Sequence, residues 1–403
     1  MTTQVSSAFR AVRALPLTWV LAACIVAALS SEPQTAVAPR LVAVGDIHGA
    51  ADGLLQILRV AALVDDKGRW IGGTARLVQT GDYTDRGEHV RQVLDLLMRL
   101  EREARRAGGR VDVLFGNHEG MNVLRDLRDV SPTAYASFAD RRSEDRRRDA
   151  FETHDEMAKR AGKTLARDAW MAARPAGFIE YVQAFGPDAQ YGRWIRGRKT
   201  MLQVDDTIFM HAGLHPDQTA SIEDVNRAVE HDVRTWDALV SVFERNRLVS
   251  PAYLLQDIID VAQVEIGRIV VAQKSGEPLP EYVTQDYVKL LQHLQGIPKW
   301  TLIDADGPLW YRGLAQHGED IQPALDALLS RLKAKRFVTG HTPQLSGHIG
   351  VRLGGRVILI DTGMLTSYYK GGQPSALEIQ DGRLTAIYPT GRHPIDVTGS
   401  SQQ

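Results

Sequence analysis

Near the start of its regular part, the chain repeats one pattern three times: a short apolar run followed by a polar loop flanked by glycines. RLVAV (40–44) leads into GDIHG (45–49), ARLVQT (75–80) into GDYTDRG (81–87), and RVDVLF (110–115) into GNHEG (116–120). Apolar runs this short predict buried strands. Between them, leucines at helical spacing in AADGLLQILRVAALV (50–64) and EHVRQVLDLLMRLEREARRA (88–107) predict amphipathic helices, the second stopped by Gly108 and Gly109. Strand–helix–strand units of this kind form parallel sheets with right-handed crossovers, which set the three loops along one sheet edge. The expected class is therefore α/β.

Further along the pattern changes. From Asn122 to about Arg198 the chain is charged and helical in character, including DRRSEDRRRDAFETHDEMAKRAGK (140–163). A solvated helical face is the favoured reading of that charge run, with a cap whose arginines face substrate as the functional alternative. Strands return at TMLQV and TIFM, separated by a turn at Asp205 and Asp206 and ending in HAGLHP. SIED (221–224) is a capping-box-like start to a second helical stretch reaching about Leu294. GPLWYRG, a helix over about 321–335, RFVTGHTPQ and RVILIDTGM follow. SALEIQDGRLTAIYP predicts a hairpin turned at Asp381–Gly382.

Composition narrows the chemistry. The 403 residues are 44% hydrophobic with a formal net charge of −1, and the pI is near 6.9, so no global field draws the protein to nucleic acid or anionic lipid. Cys24 is the single cysteine, which excludes cysteine-dependent phosphatase chemistry and thiolate metal ligands in the folded part. The N-terminus reads as an export signal over residues 1–30: Arg10 and Arg13, then an apolar stretch from Leu15 to Leu29, and no acid. Its processing boundary is expected between 24 and 38. An uncleaved N-terminal membrane anchor and a lipobox-like LAAC ending in Cys24 are the alternatives. The protein is thus expected to be exported, periplasmic or secreted.

The polar residues at strand ends are Asp46, His48, Asp82, Asn117, His118, His211 and His341. Carboxylates, imidazoles and an amide oxygen hold Mn, Fe or Zn, and the lack of thiolates suits a catalytic site. Two cations about 3.5–4 Å apart need a bridging carboxylate, and Asp82 is the natural candidate. The loop glycines bring backbone close to such a centre where a Cβ would obstruct it.

With those loops in hand, the sequence resembles the calcineurin-like metallophosphoesterases, and among them the phosphoprotein phosphatases. GDIHG, GDYTDRG and GNHEG match three signature loops, FMHAG resembles the later histidine motif, and GHTPQ, LWYRG and IDTGM are similar to the bacterial Shewanella-like branch. The resemblance covers about residues 40–390. It implies a four-layer α/β-β/α sandwich, a domain over 39–395 with helical insertions at about 122–200 and 221–300, and two divalent metal ions. By the same resemblance Asp46, His48 and Asp82 bind the first metal, and Asp82, Asn117, His211 and His341 the second. His118 becomes the general acid oriented by Asp85, and Arg86 and Arg312 clamp the phosphoryl oxygens. The implied reaction is attack of a metal-bound hydroxide on a phosphate monoester of a phosphorylated protein or small molecule. Dinucleoside polyphosphate hydrolysis is the alternative, and a scaffold that has lost its chemistry is a third class.

The chain departs from one pattern: where many phosphodiesterases carry GHxH, it has Pro343. Among the remaining residues, His215 reads as outlying or exposed and Glu119 as an anchor of the GNHE turn. Asp361 stands open between a site contact and a capped strand end, while His89, His154, His231 and His293 read as helix-surface residues.

Overall fold

The computed structural model describes residues 1–2, 40–160 and 162–397. The export signal and Cys24 lie outside the described residues. Among the described residues, eleven strands form two sheets. β1 (Leu41–Val44), β2 (Arg76–Gln79) and β3 (Arg110–Val113) are parallel neighbours. They are linked by α1 (Ala51–Val60) and α2 (Val90–Arg106). The second sheet holds β4 (Met201–Val204), β5 (Thr207–Met210), β6 (Arg336–Thr339), β7 (Gly350–Arg352) and β8 (Val357–Leu359), in the order β4-β5-β6-β8-β7. β9 (Ala376–Gln380), β10 (Arg383–Tyr388) and β11 (Gly391–Ile395) return to the first sheet, giving β11-β10-β9-β1-β2-β3.

Period-two alternation on each strand builds the layers. Leu41, Ala43 and Val78 of the first sheet meet Phe209, Val338 and Ile358 of the second in one core between the sheets. Val42, Val44 and Leu77 point the other way, onto Leu54, Ile57 and Leu58 of α1 and Val93, Leu94 and Leu97 of α2. On the outer face of the second sheet, Ile208, Met210, Phe337 and Leu359 pack on Leu325, Leu328 and Leu329 of the helix Gln322–Leu332. Full burial of a side chain of this size contributes about 2 kcal/mol. The result is the expected four-layer α/β-β/α sandwich.

The hairpin turn has Asp381 and Gly382 both at positive φ (49° and 74°), as a two-residue type I′ turn requires. Ser221 and Asp224 form the reciprocal cap of the helix Ile222–Arg245. Two strands carry little sequence signal. β7 is three residues beginning with glycine, and β11 is an edge strand containing Pro394, whose missing N–H an edge tolerates.

The helical segments contain α3 (Asn117–Val123) and longer helices at Ser143–Arg160, Leu255–Ser275 and Gln285–Gln295. Arg146 pairs with Asp140 and Glu180, and Arg148 with Asp145, so the arginine run is a salt-bridged solvated face. His154 corrects the surface reading. It is buried, accepts a 3.0 Å hydrogen bond from Trp170 Nε1 and lies 4.2 Å from the Tyr253 ring, because the helix turns this position inward between aromatic neighbours. His293 is half-buried beside Trp300. No helix among the described residues is long and apolar enough to cross a membrane.

Candidate active site

The C-terminal ends of β1, β2, β3, β5, β6 and β8 release the loops that carry Asp46 and His48, Asp82 to Arg86, Asn117 and His118, His211, His341, and Asp361. Both sheets thus supply one site. Five of its residues, His48, Asp82, Asp85, Arg86 and His341, hold left-handed backbone with φ between 45° and 65°. Non-glycine residues adopt that conformation at a cost, and its concentration here marks a functional site over-determined by its surroundings. Close approach explains two glycines. A Cβ on Gly116 would lie 2.3 Å from Asp82 Oδ1, and one on Gly340 would lie 2.1 Å from Asp46 Oδ1.

Asp82 Oδ2 is central. It lies 3.6 Å from His48 Nε2, 3.3 Å from His211 Nε2 and 3.8 Å from His118 Nε2. Two donor groups within 4.8 Å share it: His48, Asp82 and His118, and Asp82, His211 and His341. Asn117 Oδ1 is 2.7 Å from His211 Nε2, and His341 Nδ1 is 3.0 Å from the same nitrogen. Asp46 Oδ2 is 3.9 Å from His48 Nε2, and its carboxylate accepts the backbone N–H of His341 at 3.0 Å.

Ring hydrogen bonds divide the four histidines into two kinds. His48 Nδ1 bonds Thr84 O (3.0 Å), His211 Nδ1 bonds Thr80 O (3.1 Å), and His341 Nε2 bonds Trp310 O (3.1 Å). Each carbonyl fixes the tautomer with its proton outward, which leaves the inward nitrogen's lone pair for a cation. His118 differs: its Nδ1 meets the Asp85 carboxylate at 2.8 Å, so the ring can carry two protons with Nε2 facing inward. The ring hydrogen bonds thus set His118 apart from His48, His211 and His341.

The protonation states follow the same division. Burial holds His48 and His341 well below the usual imidazole range, so both are neutral donors. Burial also acts to lower His118, but the charges of Asp82 and Asp85 and the Asp85 hydrogen bond outweigh it and raise His118 to about 9. Burial would raise Asp82, yet His211, His118 and His48 hold it well below the carboxylate range. Asp46 is pushed well up by burial, then by Asp361 and Asp82. A buried acid cluster with inward imidazole lone pairs and no thiolate fits divalent cations.

A cavity of about 130 Å³ opens beside Asp82, lined by His118, Asn117, His341, Arg86, Arg312, Asp129, Trp310 and Tyr369 among others. Arg86 Nη1 bonds His48 Nε2 (2.7 Å) and the Tyr369 hydroxyl, and its guanidinium lies 5.0 Å from the Tyr368 ring. Arg312 Nη1 donates to His341 O (2.6 Å). His215 is exposed, its ring 5.4 Å from that of Tyr311.

Glu119 does more than hold its own turn. Its carboxylate accepts the N–H groups of Asp82, Tyr83, Thr84 and Gly116 and the Thr84 hydroxyl, tying GDYTDRG to GNHEG. Several neighbours gave no sequence signal. Asn122 Nδ2 donates to Asp85 Oδ1 (2.7 Å), and the buried Tyr181 hydroxyl donates to Asn122 Oδ1 (2.7 Å), so the helical insertion braces Asp85. Asp129 Oδ2 lies 3.8 Å from His118 Nε2. An Asn one turn after GNHE was the only available hint.

Residues 39–345 match the calcineurin-like phosphoesterase family, and the chain belongs to it. Within that family it is similar to Shewanella-like protein phosphatase 2 of Arabidopsis thaliana, 31% identical over 229 residues, 53% of this chain and 54% of that protein. Shewanella-like protein phosphatase 1 of Plasmodium berghei is 24% identical over 353 residues, 86% of this chain and 74% of that one. In fold, the cold-active protein-tyrosine phosphatase of a psychrophilic Shewanella species superposes with a TM-score of 0.58 at 23% identity, covering 89% of this chain and 80% of that one. The protein is a phosphoesterase whose site fits divalent metals.

Proposed function

We propose that the protein is a dinuclear metal-dependent phosphatase that hydrolyses phosphate monoesters, with phosphotyrosine or phosphoserine and phosphothreonine as its substrate class. The observation that carries this reading is the His118–Asp85 pair, whose free Nε2 faces the same cavity as the shared carboxylate of Asp82. Asp46, His48 and Asp82 would hold one cation, and Asp82, Asn117, His211 and His341 the other. Bound there, the cations would lower the pKa of coordinated water toward neutrality and offset charge developing on the phosphoryl group. His118 Nε2 delivers its proton to the departing alkoxide or phenoxide, while Asp85 holds the ring in line. Arg86 and Arg312 bind phosphoryl oxygens and orient phosphorus beneath His118.

Pro343 removes the extra histidine that GHxH would supply, which favours monoesters over diesters. The names of the Arabidopsis and Plasmodium relatives, both protein phosphatases, support the same substrate class. Export completes the reading, and the mass of the processed N-terminus, falling between residues 24 and 38, checks it.

The test compares a phosphotyrosine peptide, a phosphoserine peptide and diadenosine tetraphosphate with added manganese. The expected result is monoester turnover that falls about 10³-fold in His118→Asn. Preferred cleavage of the tetraphosphate would replace this reading with a small-molecule phosphohydrolase. No turnover with any divalent cation would leave a binding protein on a phosphoesterase fold.

A further inference from the structure

Asp361 follows β8 in IDTGM and is 1% exposed. Its Oδ1 accepts the Gly363 N–H at 3.0 Å, while its Oδ2, equally enclosed, has no hydrogen-bond partner. A buried carboxylate oxygen without a donor is costly and rare, and it calls for a compensating cation. The segment is held firmly in place: Gln344 N donates to Asp361 O (2.8 Å), and Ile360 N donates to Thr339 O (2.8 Å). It also abuts the first loop. A Cβ on Gly45 would lie 2.4 Å from Ile360 O and 3.0 Å from Asp361 N, so β1 and β8 meet just before Asp46 and Asp361. Arg86, the nearby cation, is already engaged by His48 and Tyr369.

We propose that Asp361 is an additional anionic donor to the cation held by Asp46, His48 and Asp82, serving the half of the site that Pro343 leaves without a GHxH histidine. The inference rests on the two-cation reading above and adds a residue to it. Asp46, Asp82 and Asp361 are all buried and follow the ends of β1, β2 and β8, and a doubly charged ion with its bound solvent would offset their charge. The Oδ2 of Asp361 is the acceptor left over for that ion or its water.

The test is calorimetric titration of manganese into chelator-stripped protein, with wild type, Asp361→Asn and Asp46→Asn side by side, together with thermal melting of each metal-free form. If Asp361 serves the cation, Asp361→Asn loses at least tenfold in affinity at one of two sites. Its metal-free form melts at or above the wild-type temperature, because one of three repelling acids has been neutralised. Asp46→Asn provides the reference loss for the same half. Two results overturn the inference: a titration curve that superimposes on wild type, or weaker binding accompanied by a lower metal-free melting temperature, the mark of a structural acid. Wild type that takes up no manganese overturns the two-cation reading itself, and this inference with it.

Discussion

His118 shows how far one residue's surroundings decide its role. In the metal-free protein its folded pKa of about 9 stands above the ordinary 6.5, so the folded state holds that proton more tightly than the unfolded chain. The resulting stability is fully present below about pH 6.5 and is lost as pH rises through about 9. A shift of this size corresponds to roughly 3 kcal/mol. Denaturant melts of chelated protein at several pH values should show that decline in wild type and a flatter profile in His118→Asn. Equal slopes would remove the Asp82 and Asp85 charges as its cause. Glu119 makes a different prediction. Because it anchors two loops through five hydrogen bonds, Glu119→Gln should destabilise the fold by about 2 kcal/mol and weaken metal uptake, even though the residue lies outside the donor set.

At the level of elements, the helical insertion reaches the chemistry through Tyr181, Asn122 and Asp85. Removing the hydroxyl in Tyr181→Phe should lower kcat several-fold and leave manganese affinity unchanged, as steady-state kinetics beside calorimetry would reveal. A parallel loss of metal binding would show that the chain of hydrogen bonds supports the whole site instead. The same elements show what could be read from the sequence. GDIHG, GDYTDRG and GNHEG stand out because apolar period, glycine position and ligand chemistry coincide in a few residues. β7 and β11 lack such agreement, being short and interrupted by glycine or proline. Asp129, Tyr181 and Tyr369 are invisible for another reason: each reaches the site from outside the motif loops through packing, whereas Asn122, one turn after His118 on α3, left a single hint. Asp361 was legible as a strand-end acid, but only the fold sets its backbone beside Gly45 of the first loop.

For the whole molecule, two sheets are joined through one core, and their ends share a buried cluster of acids. Burial raises Asp46 well above the carboxylate range and Asp361 to about 6, so in metal-free protein both acids add to the loss of stability as pH rises. Divalent cations should reverse that loss. Saturation at a thousand times Kd contributes about 4 kcal/mol, visible as a higher Tm near neutral pH. If one carboxylate, Asp82, is common to two cation sites, elemental analysis of manganese-reconstituted protein should find about two ions per chain in wild type and the loss of both in Asp82→Asn; one ion or none in wild type, or two retained by the variant, would show that the carboxylate is not shared.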